Sequence, residues 1–316
     1  MTRFLARRAL ESLPLLLAIS ALVFLLLHAA PGGPLAVYLT NPNVRAEDLE
    51  RLRRALGLDR PLGEQYGSWL AAFVRGDWGY SLSDGRPVIE RIGERVPATI
   101  ELVGVAIAGA LALTLPAGIA SAANRGKWLD RLVTVAAMAG ISLPAFWFGL
   151  LLQLVFAIRL GWLPSSGRTA PGGGDLIDHI QHLLLPAAVL AMVQAASWSR
   201  YLRGSMIEVL AQPFVAAARA RGVPQLRILL RHALRNALGP VLAVVMIDAA
   251  LIVSGAIVTE SVFAWPGLGS LFTEALARRD YAVLMALLML TSSAIIVLNV
   301  AADAAHATLD ARVTLT

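Results

Sequence analysis

Cysteine is absent from the 316-residue sequence, and charged residues make up only 15% of it. The first absence excludes disulfides, thiol nucleophiles and cysteine-based metal sites. The second is far below the roughly 25% that soluble domains carry. Apolar residues reach 57% and are gathered in long uncharged runs. This composition excludes a disordered chain and an ordinary soluble enzyme, and it predicts a protein that crosses a membrane several times.

Sequence motifs for catalysis are missing as well. In a phosphate-binding loop the Gly-Lys pair must be followed by Ser or Thr, but here Gly126-Lys127 precedes Trp128. Lys127 is the sole lysine, so the glycine run 172–174 cannot serve either, and no His-Glu-x-x-His sequence occurs. We therefore expect no enzymatic activity and no cofactor bound to this chain.

Six segments are long enough to cross a bilayer, whose core requires about 20 apolar residues in a helix. The first also resembles a secretory signal peptide, but the residues that follow it fit a cleavage site poorly, which favours a membrane anchor. The sequence predicts an all-α polytopic membrane protein with six transmembrane helices. The predicted spans are Ala9–His28, Leu102–Ala123, Leu132–Ile158, Leu183–Trp198, Ala237–Thr259 and Tyr281–Ala302.

Basic residues in the short loops predict the orientation. The loop at 200–236 holds seven arginines and one acid, and the loop after the second span is also basic, which places both in the cytoplasm. The net charge of +6 fits this arrangement better than a nucleic-acid partner. We expect both termini inside, with a first span at 1–28, an external segment at 29–96, a transmembrane core at 97–306 and a cytoplasmic tail at 307–316.

The external segment has balanced charge and two amphipathic patterns, at 45–58 and 62–74. These patterns predict two helices. Two interpretations stay open: the helices cap the membrane bundle, or they form a docking surface for an external partner.

The cytoplasmic loop at 200–236 has the clearest pattern. Ala216–Arg221 is rich in helix-forming residues, Gly222-Val223-Pro224 interrupts it, and Gln225–Leu238 resumes a helical pattern. The loop is predicted to contain two short helices joined by a tight turn. It could insert into a cleft of a cytoplasmic partner, or it could anchor the chain to lipid headgroups.

Polar residues inside the predicted spans are candidates for a substrate pathway. Asp248 is a lone carboxylate in the fifth span, and such groups usually face a bundle interior or a water-filled path. A hydrogen bond to another span is the alternative. Gln153, Gln194 and Asn299 are weaker candidates of the same kind.

The histidines offer one further possibility. His179 and His182 are three residues apart, a spacing that would allow a metal pair on a helix. A polar turn near the membrane surface is favoured instead.

Several of these strings, in this order, resemble the dipeptide/oligopeptide/nickel permease family of ABC importers, and specifically the first of its two permease types. The resemblance covers nearly the whole chain. Its strings are Leu56-Gly57-Leu58-Asp59-Arg60-Pro61-Leu62, Gly76-Asp77-Trp78-Gly79-Tyr80-Ser81, Pro97-Ala98-Thr99-Ile100-Glu101-Leu102, Ala216-Ala217-Ala218-Arg219-Ala220-Arg221-Gly222, His232-Ala233-Leu234-Arg235-Asn236, and Thr259-Glu260-Ser261-Val262-Phe263-Ala264-Trp265-Pro266-Gly267-Leu268-Gly269.

This resemblance implies a type I importer permease in a bacterial inner membrane. Two permeases would form the pore, two ATP-binding subunits would hold ATP and Mg²⁺ beneath it, and an extracytoplasmic binding protein would deliver peptides. The implied family signature includes Glu260, Trp265, Pro266, Gly267 and Gly269. The implied residues that couple to the ATPase are Ala216, Ala217, Ala218, Arg219, Arg221, Gly222, Arg227, His232 and Asn236. His232 and Asn236 are four residues apart and could instead staple the loop, which is the favoured interpretation.

The sequence departs from the importer pattern at Ala216, which stands where the general motif has an acidic residue. Two alternative functions remain open. The chain could serve a nickel or metal-chelate importer of the same family, or it could be a self-contained secondary carrier. Secondary carriers often show paired inverted repeats, and none is visible here.

Overall fold

Helices form nearly all the regular structure in the computed structural model, which describes residues 2–30, 33–35, 45–55 and 57–309. Within these residues no strand forms, and extended pairing is limited to the bridge between Tyr80 and Pro87. The π-helical stretch Gln153–Arg159 continues the helix Ala145–Leu152. A second one, Ile228–Ala233, joins the helices Gln225–Arg227 and Leu234–Val262. The α-helices are α1 (Thr2–Ala29), α2 (Ala46–Ala55), α3 (Leu62–Val74), α4 (Val88–Ala123), α5 (Trp128–Ser142), α6 (Ala145–Leu152), α7 (Leu176–Leu210), α8 (Pro213–Ala220), α9 (Gln225–Arg227), α10 (Leu234–Val262), α11 (Leu268–Ala277) and α12 (Tyr281–Leu309).

By length and composition, five helices in the described residues can cross a membrane, and the number rises to six if one bent helix pair is counted as a single span. The predicted third span, Leu132–Ile158, corresponds to this bent pair and not to one straight helix. The chain bends by 102° between α5 and α6. Leu143 is extended, with φ −83° and ψ 127°, because the ring of Pro144 disfavours a helical conformation in the residue before it. The other five predicted spans correspond to helices.

Two helices are longer than predicted. At 1.5 Å per residue, the 36 residues of α4 and the 35 residues of α7 each extend more than 50 Å, well beyond a bilayer core of about 30 Å. The predicted fourth span ended at Trp198, but α7 continues to Leu210 because Leu202 and Met206 are buried in the bundle. The charged residues at 200 and 203 interrupt the hydropathy without ending the helix.

The centre of the bundle is the contact between α4 and α7. Small residues let these backbones approach, as is usual between membrane helices. A Cβ added to Gly109 would lie 3.3 Å from Ala191, and one added to Gly118 would lie 2.8 Å from Leu202. Helix α10 packs on the same core through Val241 and neighbouring residues.

The segment between α1 and α4 folds back over the end of the bundle. Helix α1 packs along α12, and Phe24 and Met285 are buried at their contact. Tyr66 and Trp69 of α3 pack on this pair, and the Tyr66 hydroxyl lies 2.7 Å from Ser20 Oγ. The capping interpretation of α3 therefore describes its position in the fold.

Candidate functional site

Helix α8 is a short helix with two different faces. Pro213 suits the first helical position because its missing N–H would have no partner there. Val215 and Ala218 are buried and pack on Ile228 in a small apolar cluster completed by Leu210 and Val223. The opposite face is open to solvent. The cluster holds α8 to the bundle and leaves its outer face free to contact another molecule.

The turn after α8 is a left-handed helix cap. Gly222 has φ +76°, a conformation that glycine adopts without the strain a side chain would add. The Gly222 amide donates to the Arg219 carbonyl at 2.9 Å, and the Val223 amide donates to the Ala218 carbonyl at 3.2 Å. This is the Schellman pair of bonds. Pro224 follows and starts α9.

The predicted second short helix of this loop is wrong in extent. Helix α9 runs through the π-helical stretch Ile228–Ala233 into α10, so its backbone is continuous as far as Val262. The loop is therefore one short helix and one turn, followed directly by a long helix. Helix α8 is joined to this long helix by the turn at Gly222 and by the packing of Val215 and Ala218 on Ile228.

The predicted coupling residues divide by exposure. Ala218 is buried and faces the apolar cluster, so it supports α8 from within. His232 is half-buried, and Asn236 Nδ2 donates to its main-chain oxygen at 2.6 Å inside one helix, without use of the imidazole. The exposed members are Ala216, Ala217, Arg219, Arg221, Gly222, Arg227 and Asn236.

Sequence reasoning missed three large apolar residues in this region. Phe214 is 44% exposed, Leu226 is 66% exposed and Leu230 is 47% exposed. Exposed apolar side chains mark surfaces that contact protein or membrane. Phe214 lies on the outer face of α8, whereas Leu226 and Leu230 lie in the apolar segment Gln225–Ala249. In the sequence, Phe214 directly follows Pro213 at the start of α8, and this position could have identified it as a candidate.

Asp130, also missed, is a buried carboxylate that pairs with the half-buried Arg203 near this loop. Arg203 Nε and Nη2 donate to its two carboxylate oxygens at 2.6 and 2.9 Å. Ser121 Oγ donates at 2.5 Å and the Gly126 amide at 2.8 Å. The pair thus joins α4, the turn that follows it, α5 and α7.

Asp248 accepts a hydrogen bond of 2.7 Å from Trp198 Nε1, which joins α10 to α7. This is the interhelical bond that the sequence offered as the alternative to a pathway role. Trp198 is fully buried, whereas Asp248 is half-buried.

The other polar residues within the predicted spans lie apart from Asp248. Gln153 Nε2 donates to the main-chain oxygens of Ser165 and Val262, at 2.7 and 3.0 Å. Gln194 is half-buried and Asn299 is exposed. In the described structure no hydrogen bond joins any two of the four pathway candidates.

The predicted signature residues hold three helices, α4, α10 and α11, together at one joint. Glu260 is fully buried and accepts hydrogen bonds from Thr99 Oγ1 at 2.7 Å and from the Gly269 and Ser270 amides at 2.7 and 3.1 Å. A carboxylate at a helix N-terminus satisfies amides that have no partner in the helix. Glu260 therefore fixes the start of α11 to α4.

The glycines and the tryptophan of the signature complete this joint. A Cβ on Gly267 would lie 2.2 Å from the Glu260 carboxylate, and one on Gly269 would lie 2.3 Å from Ile257 Cα. Trp265 is fully buried and its Nε1 donates to the Ala98 oxygen at 2.8 Å. Pro266 is half-buried in the turn between Trp265 and Gly267.

The two histidines point to separate partners. The His179 ring contacts Glu101 through Nε2 and the Arg168 main-chain oxygen through Nδ1, whereas His182 Nδ1 contacts the Asp178 main-chain oxygen at 2.8 Å. Across the described ranges no group of three or more His, Cys, Asp or Glu residues could hold a metal ion. The geometry gives no support to a metal pair.

These helices, with an exposed short helix between two long ones, define a membrane-embedded transport subunit. Residues 114–315 match the family described as binding-protein-dependent transport system inner membrane component, and residues 1–103 match the N-terminal region of such components. The chain belongs to this family, the permease subunits of ABC importers. It is a multi-pass inner-membrane protein.

Relatives cover the chain from end to end. It is 38% identical to the oligopeptide transport system permease protein AppB of Bacillus subtilis over 315 residues, which is 99% of both chains. It is 37% identical to the glutathione transport system permease protein GsiC of Escherichia coli K12 over 310 residues, 98% of both. An inward-facing structure of the MetNI methionine ABC transporter is similar in fold, with a TM-score of 0.60, 18% identity, and coverage of 71% of this chain and 98% of that chain.

Proposed function

We propose that this chain is one of two permease subunits that form the pore of an ATP-driven importer of short peptides. Two of its relatives are named for oligopeptide and glutathione transport, and both of those substrates are peptides. A second permease of the partner type, two ATP-binding subunits and an extracytoplasmic binding protein complete the assembly. Membrane lipid surrounds the spans.

The observation that carries this proposal is the two-faced helix α8. Its inner face packs on Ile228, and its outer face presents Ala217, Arg219 and the aromatic ring of Phe214 to solvent. A partner that grips the outer face can move α8 and, through it, the ends of α7 and α10. Alternating access needs such a contact, because a ligand shifts an equilibrium only through different interactions with the two states.

Hydrolysis belongs to the partner subunits in this proposal. The sequence has no phosphate-binding loop, and no catalytic residue is assigned to the chain. The exposed arginines of the loop then have two roles, to contact the ATPase and to keep this side of the protein in the cytoplasm. Both termini lie on that same side.

Reconstitution into liposomes tests the proposal. The chain is purified with its neighbouring permease, ATPase and binding-protein subunits, and uptake of a labelled dipeptide is measured with and without ATP. We expect stable assembly and uptake only when ATP and the binding protein are both present. Uptake by this chain alone without ATP would show a secondary carrier and reject the proposal, and uptake of nickel in place of the dipeptide would reject the peptide assignment.

A further inference from the structure

The cytoplasmic ends of three helices meet at one buried carboxylate. Asp130 is 4% exposed, and Arg203 approaches it with two nitrogens of one guanidinium group. Together with the Ser121 hydroxyl and the Gly126 amide, this gives the carboxylate four donors. Such a two-pronged arginine contact fixes both distance and orientation between the groups that it joins.

The pair lies close to α8 along the chain. Arg203 is seven residues before Leu210, the end of α7, which corresponds to about 10 Å of helix. Leu210 packs on the Val215 and Ala218 cluster that holds α8 in place. A displacement of α8 would therefore be transmitted to Leu210 on α7 through this apolar contact. Arg203, which binds Asp130, lies two helical turns before Leu210 on the same helix.

The neighbouring packing leaves little freedom at this point. Leu202 lies so close to Gly118 that a Cβ there would be 2.8 Å away, and Ser205 Oγ donates to the Ala237 oxygen at 3.1 Å. The pair contributes little net stability, because the desolvation of the buried Asp130 carboxylate offsets its attraction to Arg203. In some proteins such ion pairs specify one arrangement of the elements around them.

We propose that Asp130 is a positioning residue for energy coupling, which makes the cytoplasmic ends of α4, α5 and α7 move as one body with α8. The proposal rests on the importer function proposed above. Without Asp130, α7 and the closely packed α4 would follow α8, while the bent pair α5–α6 stayed behind. ATP hydrolysis would then continue with less substrate moved.

The test measures substrate moved per ATP in the reconstituted importer. Asp130→Asn and Arg203→Gln are each expected to keep assembly and ATP hydrolysis and to lower the uptake per ATP about tenfold, a size typical of coupled neighbouring residues. The double variant should be no worse than either single one, since both break the same pair. Arg131→Gln, which changes an exposed arginine directly after Asp130 on α5, is the matched control and should keep the original ratio.

A distance measurement separates movement from folding. The chain has no cysteine, so spin labels can be attached at Trp128→Cys on α5 and Ala211→Cys after α7, both exposed positions, with cysteine-free partner subunits. The distance between the labels should be the same in the resting and the nucleotide-trapped importer. In the Asp130→Asn background it should change between the two states.

Three results would decide against the proposal or its basis. Unchanged uptake per ATP in both single variants would overturn it. Failure of both variants to assemble would also overturn it, because the pair would then be a folding requirement. Absence of ATP-driven uptake in the unaltered importer would instead reject the proposed function itself.

Discussion

Buried carboxylates in this protein are held by several donors each. Glu260 accepts from a hydroxyl and two amides, and Asp130 accepts from a guanidinium, a hydroxyl and an amide. Asp280, fully buried, accepts from Ser81 Oγ at 2.5 Å and from the Leu82 amide at 3.2 Å. Since an unsatisfied buried charge is costly, each of these residues fixes a joint between segments distant in sequence.

At the residue scale, Gly269→Ala should destabilise the protein. The added Cβ would lie 2.3 Å from Ile257 Cα, which is backbone and cannot rotate away, so α11 must move off α10. We expect a loss of about 1–3 kcal/mol, typical of overpacking, seen as a lower midpoint of thermal unfolding in detergent. Gly204→Ala on α7 is the control, because no atom lies within 4 Å of the added Cβ. Equal midpoints for the two variants would contradict this account of the joint.

At the element scale, the loop around α8 shows what the sequence could predict. The helix, the break at Gly222 and the restart at Gln225 follow from local helix propensity and cap residues, and the structure contains all three. The predicted helical pattern over Gln225–Leu238 already covers Ile228–Ala233, but it does not show that the helix continues unbroken through the fifth span to Val262. Hydropathy likewise located the spans but placed the end of the fourth at Trp198, where helix α7 does not end.

The turn after α8 gives a prediction at this scale. Gly222→Ala would force a side chain into a left-handed conformation at φ +76°, which costs about 1–2 kcal/mol for an L-residue. The strain lies next to the exposed face of α8. Dipeptide uptake driven by ATP should therefore fall, while the amount of folded protein stays nearly the same.

Gly173→Ala is its matched control. That glycine also has a positive φ, +93°, but lies in the loop before α7. The same backbone strain at residue 173 should leave uptake unchanged. Equal losses of uptake in both variants would show that strain alone, and not the position of α8, is responsible.

At the scale of the whole molecule, the segment before α4 is tied to the last two helices by one arginine. Arg91 is buried, and its guanidinium lies 3.3 Å from Asp84, 3.4 Å from Glu274 and 3.5 Å from Asp280. These residues are up to 196 positions apart (84 to 280). No local pattern predicts such a contact, and the same holds for Asp130 with Arg203, so the sequence located the helices but not the polar joints between them.

This joint predicts a response to acid. Burial raises the pKa of Asp84, but the hydrogen bonds from the Arg86 amide and Ser81 and the charge of Arg91 outweigh it, so the pKa lies below its ordinary value of 3.8. A lowered pKa in the folded state gives stability that is present above pH 3.8 and is lost as the pH falls through the folded value. The protection of the amides of residues 81–84 from hydrogen exchange, relative to the unfolded chain at the same pH, should therefore fall in that range.

Asp84→Asn provides the comparison for the acid response. Without the carboxylate, the exchange rates at residues 81–84 should already be raised at neutral pH and should depend less on acid. Asp77→Asn, which changes an exposed carboxylate of the same segment, should leave the original pH dependence intact. If both variants behaved alike, Asp84 would not be the group that titrates.

The bend of 102° between α5 and α6 has a mechanical consequence. A straight helix transmits a push along its axis with little loss, because its hydrogen bonds resist compression. A helix pair that turns through more than a right angle converts the same push into a sideways swing of its second arm. Gln153, on the second arm, is bonded to the end of α10. Because of the bend, a movement of α5 along its own axis at Asp130 would displace α6 sideways and not along the axis of α6.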